Sequence, residues 1–73
     1  MTIGLWIEKK LKADDRSVSW LCKNMGLHQP TVSNWKTGKF HPNLKMMKRV
    51  VNFLADHLDL DRKELWFEIL ELE

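Results

Sequence analysis

A single cysteine, Cys22, leaves the chain without any internal disulfide, and three histidines scattered singly at positions 28, 41 and 57 offer no zinc-like ligand pair. No metal, cofactor or redox chemistry is expected. Uninterrupted apolar stretches are only a few residues long, and none near Met1 has the length of a signal-peptide core, so export and membrane insertion are not expected and a cytoplasmic location is. No serine, cysteine, histidine and carboxylate are spaced as a convergent acid, base and nucleophile set, and 73 residues hold little beyond one modest core, so an enzyme is not expected.

The most informative absence is of acidic side chains. Residues 17 to 49 carry Lys23, Lys36, Lys39, Lys45, Lys48 and Arg49 and not one Asp or Glu. Residues 1 to 50 hold 10 Lys/Arg against 3 Asp/Glu, whereas residues 51 to 73 hold 2 against 7, so a net charge of +2 conceals one half at +7 and another at −5. Solvated surfaces ordinarily mix both signs; an acid-free stretch is the footprint of a face that meets a polyanion. Six positive charges could serve solubility alone, and the sequence between them has to decide.

With 44% hydrophobic and 30% charged residues, the chain has an ordinary globular composition. Its apolar residues recur at helical spacing throughout, which predicts an all-α, five-helix single domain over residues 1–73, without strands, repeats or linkers. A first helix is predicted over 3–13, with Ile3, Trp6, Ile7 and Leu11 on one side. Ser17 is a natural N-cap for a second, whose Val18, Leu21, Cys22 and Met25 form a stripe that Gly26 ends. A third starts near Gln29, tolerates Pro30 in its first turn, uses His28 to help its cap and stops at Gly38. A fourth follows Pro42 from about Asn43, with Leu44, Met47, Val51, Leu54 and Leu58 in line and Val50 and Phe53 widening the stripe. A fifth, over 62–72, is capped by Asp59 or Asp61, and together with its cap occupies about 61–72.

Function is legible in SVSWLCKNMGLHQPTVSNWKTGK, residues 17 to 39, where two short helices meet across a tight turn. Cys22 is small enough for a helix crossing, Leu21, Met25 and Leu27 seal the inside of the corner, and Val32 and Trp35 anchor the later helix. The outward face is then Gln29, Pro30, Ser33, Asn34 and Thr37: short groups without an acid.

The segment resembles the helix-turn-helix of the phage Cro and repressor group, the XRE family, with the motif at 17–38 and the likeness extending over residues 3 to 58. The resemblance implies an all-α fold of the phage-repressor type and a transcription regulator, a repressor acting by operator occupancy, bound to double-stranded DNA in the cytoplasm at the nucleoid. It implies that Gln29, Pro30, Ser33 and Asn34 face bases, Gln29 being the first candidate for an adenine, and that Ser17, Lys36, Thr37, Lys39 and His41 hold phosphates. The sequence departs from the family pattern at Arg16, Val18 and Pro30. Val18 stands where a glutamine often touches the DNA backbone, and Pro30 can offer a base only an apolar contact.

Trp6 and Trp35 read as core, and Trp20 and Trp66 as packing residues. The predicted fifth helix has more apolar surface than a small core can cover, so Leu65, Trp66, Phe67, Ile69 and Leu70 are candidates for dimerisation. A two-fold homodimer would present two recognition helices to a near-palindromic operator. An alternative occupant of the same helix is a second protein, with the chain acting as a DNA-binding antitoxin or adaptor.

Overall fold

The computed structural model describes residues 1–72. Five α-helices and no strand occur among them: α1 (Ile3–Ala13), α2 (Val18–Met25), α3 (Gln29–Thr37), α4 (Leu44–Leu58) and α5 (Arg62–Leu70). No helix is long and apolar enough to cross a membrane among the described residues. The chain gathers into two compact units: Met1–His41, and the segment from Pro42 onward.

In the first unit, helix boundaries follow local chemistry. Thr2 caps α1, its hydroxyl accepting from the Leu5 N–H at 3.2 Å, and Ser17 caps α2 through the Trp20 N–H at 3.1 Å. Each satisfies one of the donors that a helix start leaves unpaired. Gly26 and Gly38 end α2 and α3 in the left-handed region, at φ of 70° and 80°, where a Cβ would be strained. Asp15 reaches φ 61° in the connection between α1 and α2. The expected histidine cap of α3 is only half present. His28 occupies the N-cap position, but its side chain makes no capping bond; its carbonyl instead accepts from the Thr31 N–H at 3.0 Å.

The buried side chains of this unit are Ile3, Trp6, Ile7, Leu11, Leu21, Cys22, Met25, Val32 and Trp35, and Leu27 is half-buried. Trp20 is half-buried with the Arg16 guanidinium 4.6 Å from its ring centroid. What the apolar periodicity does not reveal is Gly4. It is buried in α1, and a Cβ there would stand 2.2 Å from the Lys36 nitrogen and 2.5 Å from the Trp35 carbonyl carbon. Backbone of α1 therefore lies directly against backbone of α3, an approach that only glycine permits.

In the second unit, Asn43 caps α4 by accepting the Met46 N–H at 2.8 Å, and Asp61 caps α5 through the N–H groups of Lys63 and Glu64. Asp59 serves the other end of the link: at φ 54° it closes α4, its N–H bonded to the Ala55 carbonyl. Met47, Val50, Val51, Leu54, Ala55 and Leu58 are buried along α4, Phe53 is half-buried, and Leu44 departs from the expected stripe with 65% exposure. Arg62 ties α5 to α4, donating to Asn52 Oδ1 at 2.9 Å and Asp56 Oδ1 at 2.7 Å, two acceptors one helical turn apart.

Candidate nucleic-acid interface

The α2–α3 corner buries one side of α3 and frees the other. Val32 and Trp35, three residues apart, are 0% and 3% exposed, while Gln29, Pro30, Ser33 and Thr37 are exposed and Asn34 is half-buried. Cys22 is buried at this corner, and burial pushes its thiol above the ordinary value. Alkylation of Cys22 by iodoacetamide is expected to run at least about a hundredfold slower in the native chain than in denaturant. Equal rates would mean that the corner is open.

Gln29, the first residue of α3, does not swing freely. Its side-chain amide donates to the Ser19 hydroxyl of α2 at 3.1 Å, so the two helices jointly fix it. Beside it lies an open hollow of about 420 Å³ lined by Val18, Gln29, Pro30, Ser33 and Lys36.

The candidate phosphate ligands fall into two groups. Lys39 and His41 are exposed, with the Lys39 ammonium 5.7 Å from the Phe40 ring centroid. Ser17 and Thr37, also exposed, are hydrogen-bonded locally: Ser17 as the α2 cap, Thr37 donating to the Asn34 carbonyl at 3.1 Å and accepting from the Lys39 N–H. Lys36 is half-buried and engaged by α1. Its ammonium lies 2.8 Å from Glu8 Oε2 of α1, and its carbonyl accepts the Thr2 hydroxyl at 2.7 Å. The hydrogen bond from Lys36 holds the Glu8 carboxyl below its usual range. Lys36 thus joins α1 to the last turn of α3, and its charge is answered inside the protein. The pairing spans 28 positions, and no local pattern announces it.

Compared with protein families, with curated proteins and with solved structures, the chain matches none.

The cations of the second unit lie at the start of α4, where Lys45, Lys48 and Arg49 are exposed. On α5, Leu65 is 1% exposed and serves its own chain's core, which removes it from the candidate dimerisation set in this conformation. Trp66 and Ile69 are half-buried, and Phe67 and Leu70 are 65% and 74% exposed. Lys63, Trp66, Phe67 and Leu70 line one open apolar hollow of about 290 Å³. Among the described residues, no group of three or more His, Cys, Asp and Glu side chains could hold a metal ion.

Proposed function

We propose that this chain is a sequence-specific double-stranded DNA-binding regulator of the phage Cro and repressor type, with α2 and α3 as its helix-turn-helix and α3 entering the major groove. The observation that carries the reading is the outward face of α3. Exposed Gln29, Ser33 and Thr37 are short and uncharged, they stand on a helix whose Val32 and Trp35 are buried, and the surrounding segment 17 to 49 has no acidic residue. Such groups suit base edges in a groove, and the flanking lysines suit phosphates. With Lys36 engaged by Glu8, the phosphate contacts of the first unit fall to Lys39, His41, Ser17 and Thr37. The chain acts by occupying its operator, as a repressor at the nucleoid.

The exposed α5 face supports a homodimer on a near-palindromic site. Lys63, Phe67 and Glu71 follow one another at four-residue spacing, so an antiparallel two-fold pairing centred on Phe67 would set each Lys63 beside Glu71 of the partner subunit. The same acidic and apolar helix also suits a basic protein partner, the antitoxin or adaptor reading, which a stoichiometric complex with such a partner would favour.

Selection of bound duplexes from a random pool, followed by titration of the best one against salt, tests the proposal. A palindromic consensus with affinity falling steeply as salt rises is the expected result; absence of binding would overturn it. On that duplex, Gln29→Ala should cost about 1 to 3 kcal/mol and relax preference at one base pair of each half-site. Lys39→Ala should weaken all sequences alike and shallow the salt slope by about 2, one for each protomer. A reversed pattern would exchange the two roles.

A further inference from the structure

We propose that the hollow beside Gln29 receives the C5 methyl group of a thymine between Val18 and Pro30, so that the site reads an adenine–thymine step; this rests on the DNA-binding reading above. Four features of the hollow converge on that ligand.

The first is Gln29 itself. With one amide hydrogen committed to the Ser19 hydroxyl at 3.1 Å, the side chain retains one N–H donor and its carbonyl oxygen. One donor beside one acceptor matches adenine, which offers N7 as acceptor and N6–H₂ as donor in the major groove. Ser19 holds the amide in place before DNA arrives and is a positioning residue for it.

The second is the pair of apolar walls. Val18 is half-buried at the start of α2, Pro30 is exposed in the first turn of α3, and both border the hollow that Gln29 borders. Neither side chain can hydrogen-bond a base or a phosphate, and proline has no N–H to lend. The major-groove edge of DNA offers one apolar group that such walls can cover, the thymine methyl.

The third is proximity within DNA. An adenine bound by Gln29 is paired with a thymine, and that methyl or one on an adjacent step lies along the same groove edge. The hollow therefore needs no separate ligand: one A·T step can fill both requirements.

The fourth is the pairing of the one cation that borders the hollow. Arginine and lysine are the usual readers of guanine O6 and N7, and no arginine lines this hollow. Lys36 does, but its ammonium is held 2.8 Å from Glu8. The Lys36–Glu8 pair thereby offsets the charge of the one cation that borders the hollow, which leaves less to favour guanine there.

The test uses the full chain and the duplex recovered by selection, with each thymine replaced singly by deoxyuridine, which removes the methyl and leaves base pairing intact. One thymine per half-site is expected to show about a fourfold loss of affinity, the size of one buried methylene. Val18→Ser should bring that ratio of thymine to deoxyuridine affinity close to one, with its fold checked by circular dichroism. Equal affinity for every deoxyuridine-substituted duplex would overturn the methyl site while leaving DNA binding intact, as would a consensus of guanine and cytosine alone. Failure to bind any duplex would overturn the DNA-binding reading itself.

Discussion

Gly4→Ala is expected to lower the melting temperature by roughly 10–20 °C, although the substitution improves the local helix. In an isolated helix, alanine is favoured over glycine by about 1 kcal/mol. Here the new methyl would meet backbone atoms of Lys36 and Trp35 at 2.2–2.5 Å, well inside van der Waals contact and with no flexible side chain to move aside. The two helices must separate, which costs the burial of Trp6, Ile7, Val32 and Trp35 and strains the Thr2 and Glu8 links to Lys36. Overpacking of this kind costs about 3 kcal/mol or somewhat more, leaving a net loss of about 2–3 kcal/mol, and each 1 kcal/mol shifts a domain of this size by about 4–8 °C. Gly26→Ala provides the contrast. Nothing lies within 4 Å of a Cβ there, so only the left-handed backbone penalty of about 1–2 kcal/mol applies. Thermal melts followed by circular dichroism compare the two. A Gly4→Ala chain more stable than the parent would mean that helix propensity outweighs the α1–α3 contact and that the close approach is wrong.

The second large effect is expected from Phe67→Glu, which should turn a dimer into a monomer and weaken binding to a two-half-site duplex more than about a hundredfold. Linking two half-site contacts raises avidity by about 10²–10⁴ over one, and loss of the link forfeits that factor. Phe67 is 65% exposed on α5 and would stand at the centre of the proposed antiparallel pairing, so two glutamates would face each other across the two-fold axis. Affinity for a single half-site should be unchanged, because Phe67 is not among the proposed base-reading residues, which all belong to α3. Lys63→Glu and Glu71→Lys should each weaken the dimer, and together restore it, since the double exchange recreates the ion pairs. Sedimentation equilibrium and titration on one- and two-site duplexes give both readouts. A parent chain that remains monomeric at high concentration would end the α5 pairing and leave the exposed face to another protein.

The Gly4 contact and the candidate interface meet at Lys36. By sequence it is one more cation in an acid-free stretch and a natural phosphate ligand. In three dimensions its backbone is the surface on which Gly4 rests, its carbonyl takes the Thr2 hydroxyl, and its ammonium takes Glu8. A residue with three internal attachments sets where the end of α3 lies, and with it the position of Gln29 and Ser33 on the same helix. The charge pattern therefore overstated the positive field of the face by one lysine, and understated how firmly α3 is held.

The amino-acid sequence by itself determined the five helices, their limits to within a residue or two, and which side of α3 is buried. These are short-range properties: Thr2, Ser17, Asn43 and Asp61 cap helices through N–H groups two or three residues away, Gly26 and Gly38 stop them through their own φ, and a stripe at 3.6-residue spacing names its own buried side. Tertiary structure alone decided the rest. The Gly4 approach, the Lys36–Glu8 pair and the Gln29–Ser19 hydrogen bond join residues 10 to 32 positions apart, where spacing along the chain holds no information about distance in space. The burial of Leu65 beside an exposed Phe67 was equally out of reach, because charged and apolar residues are interspersed around α5. A helix without a distinct polar face does not say which side turns inward; the packing of its neighbours does.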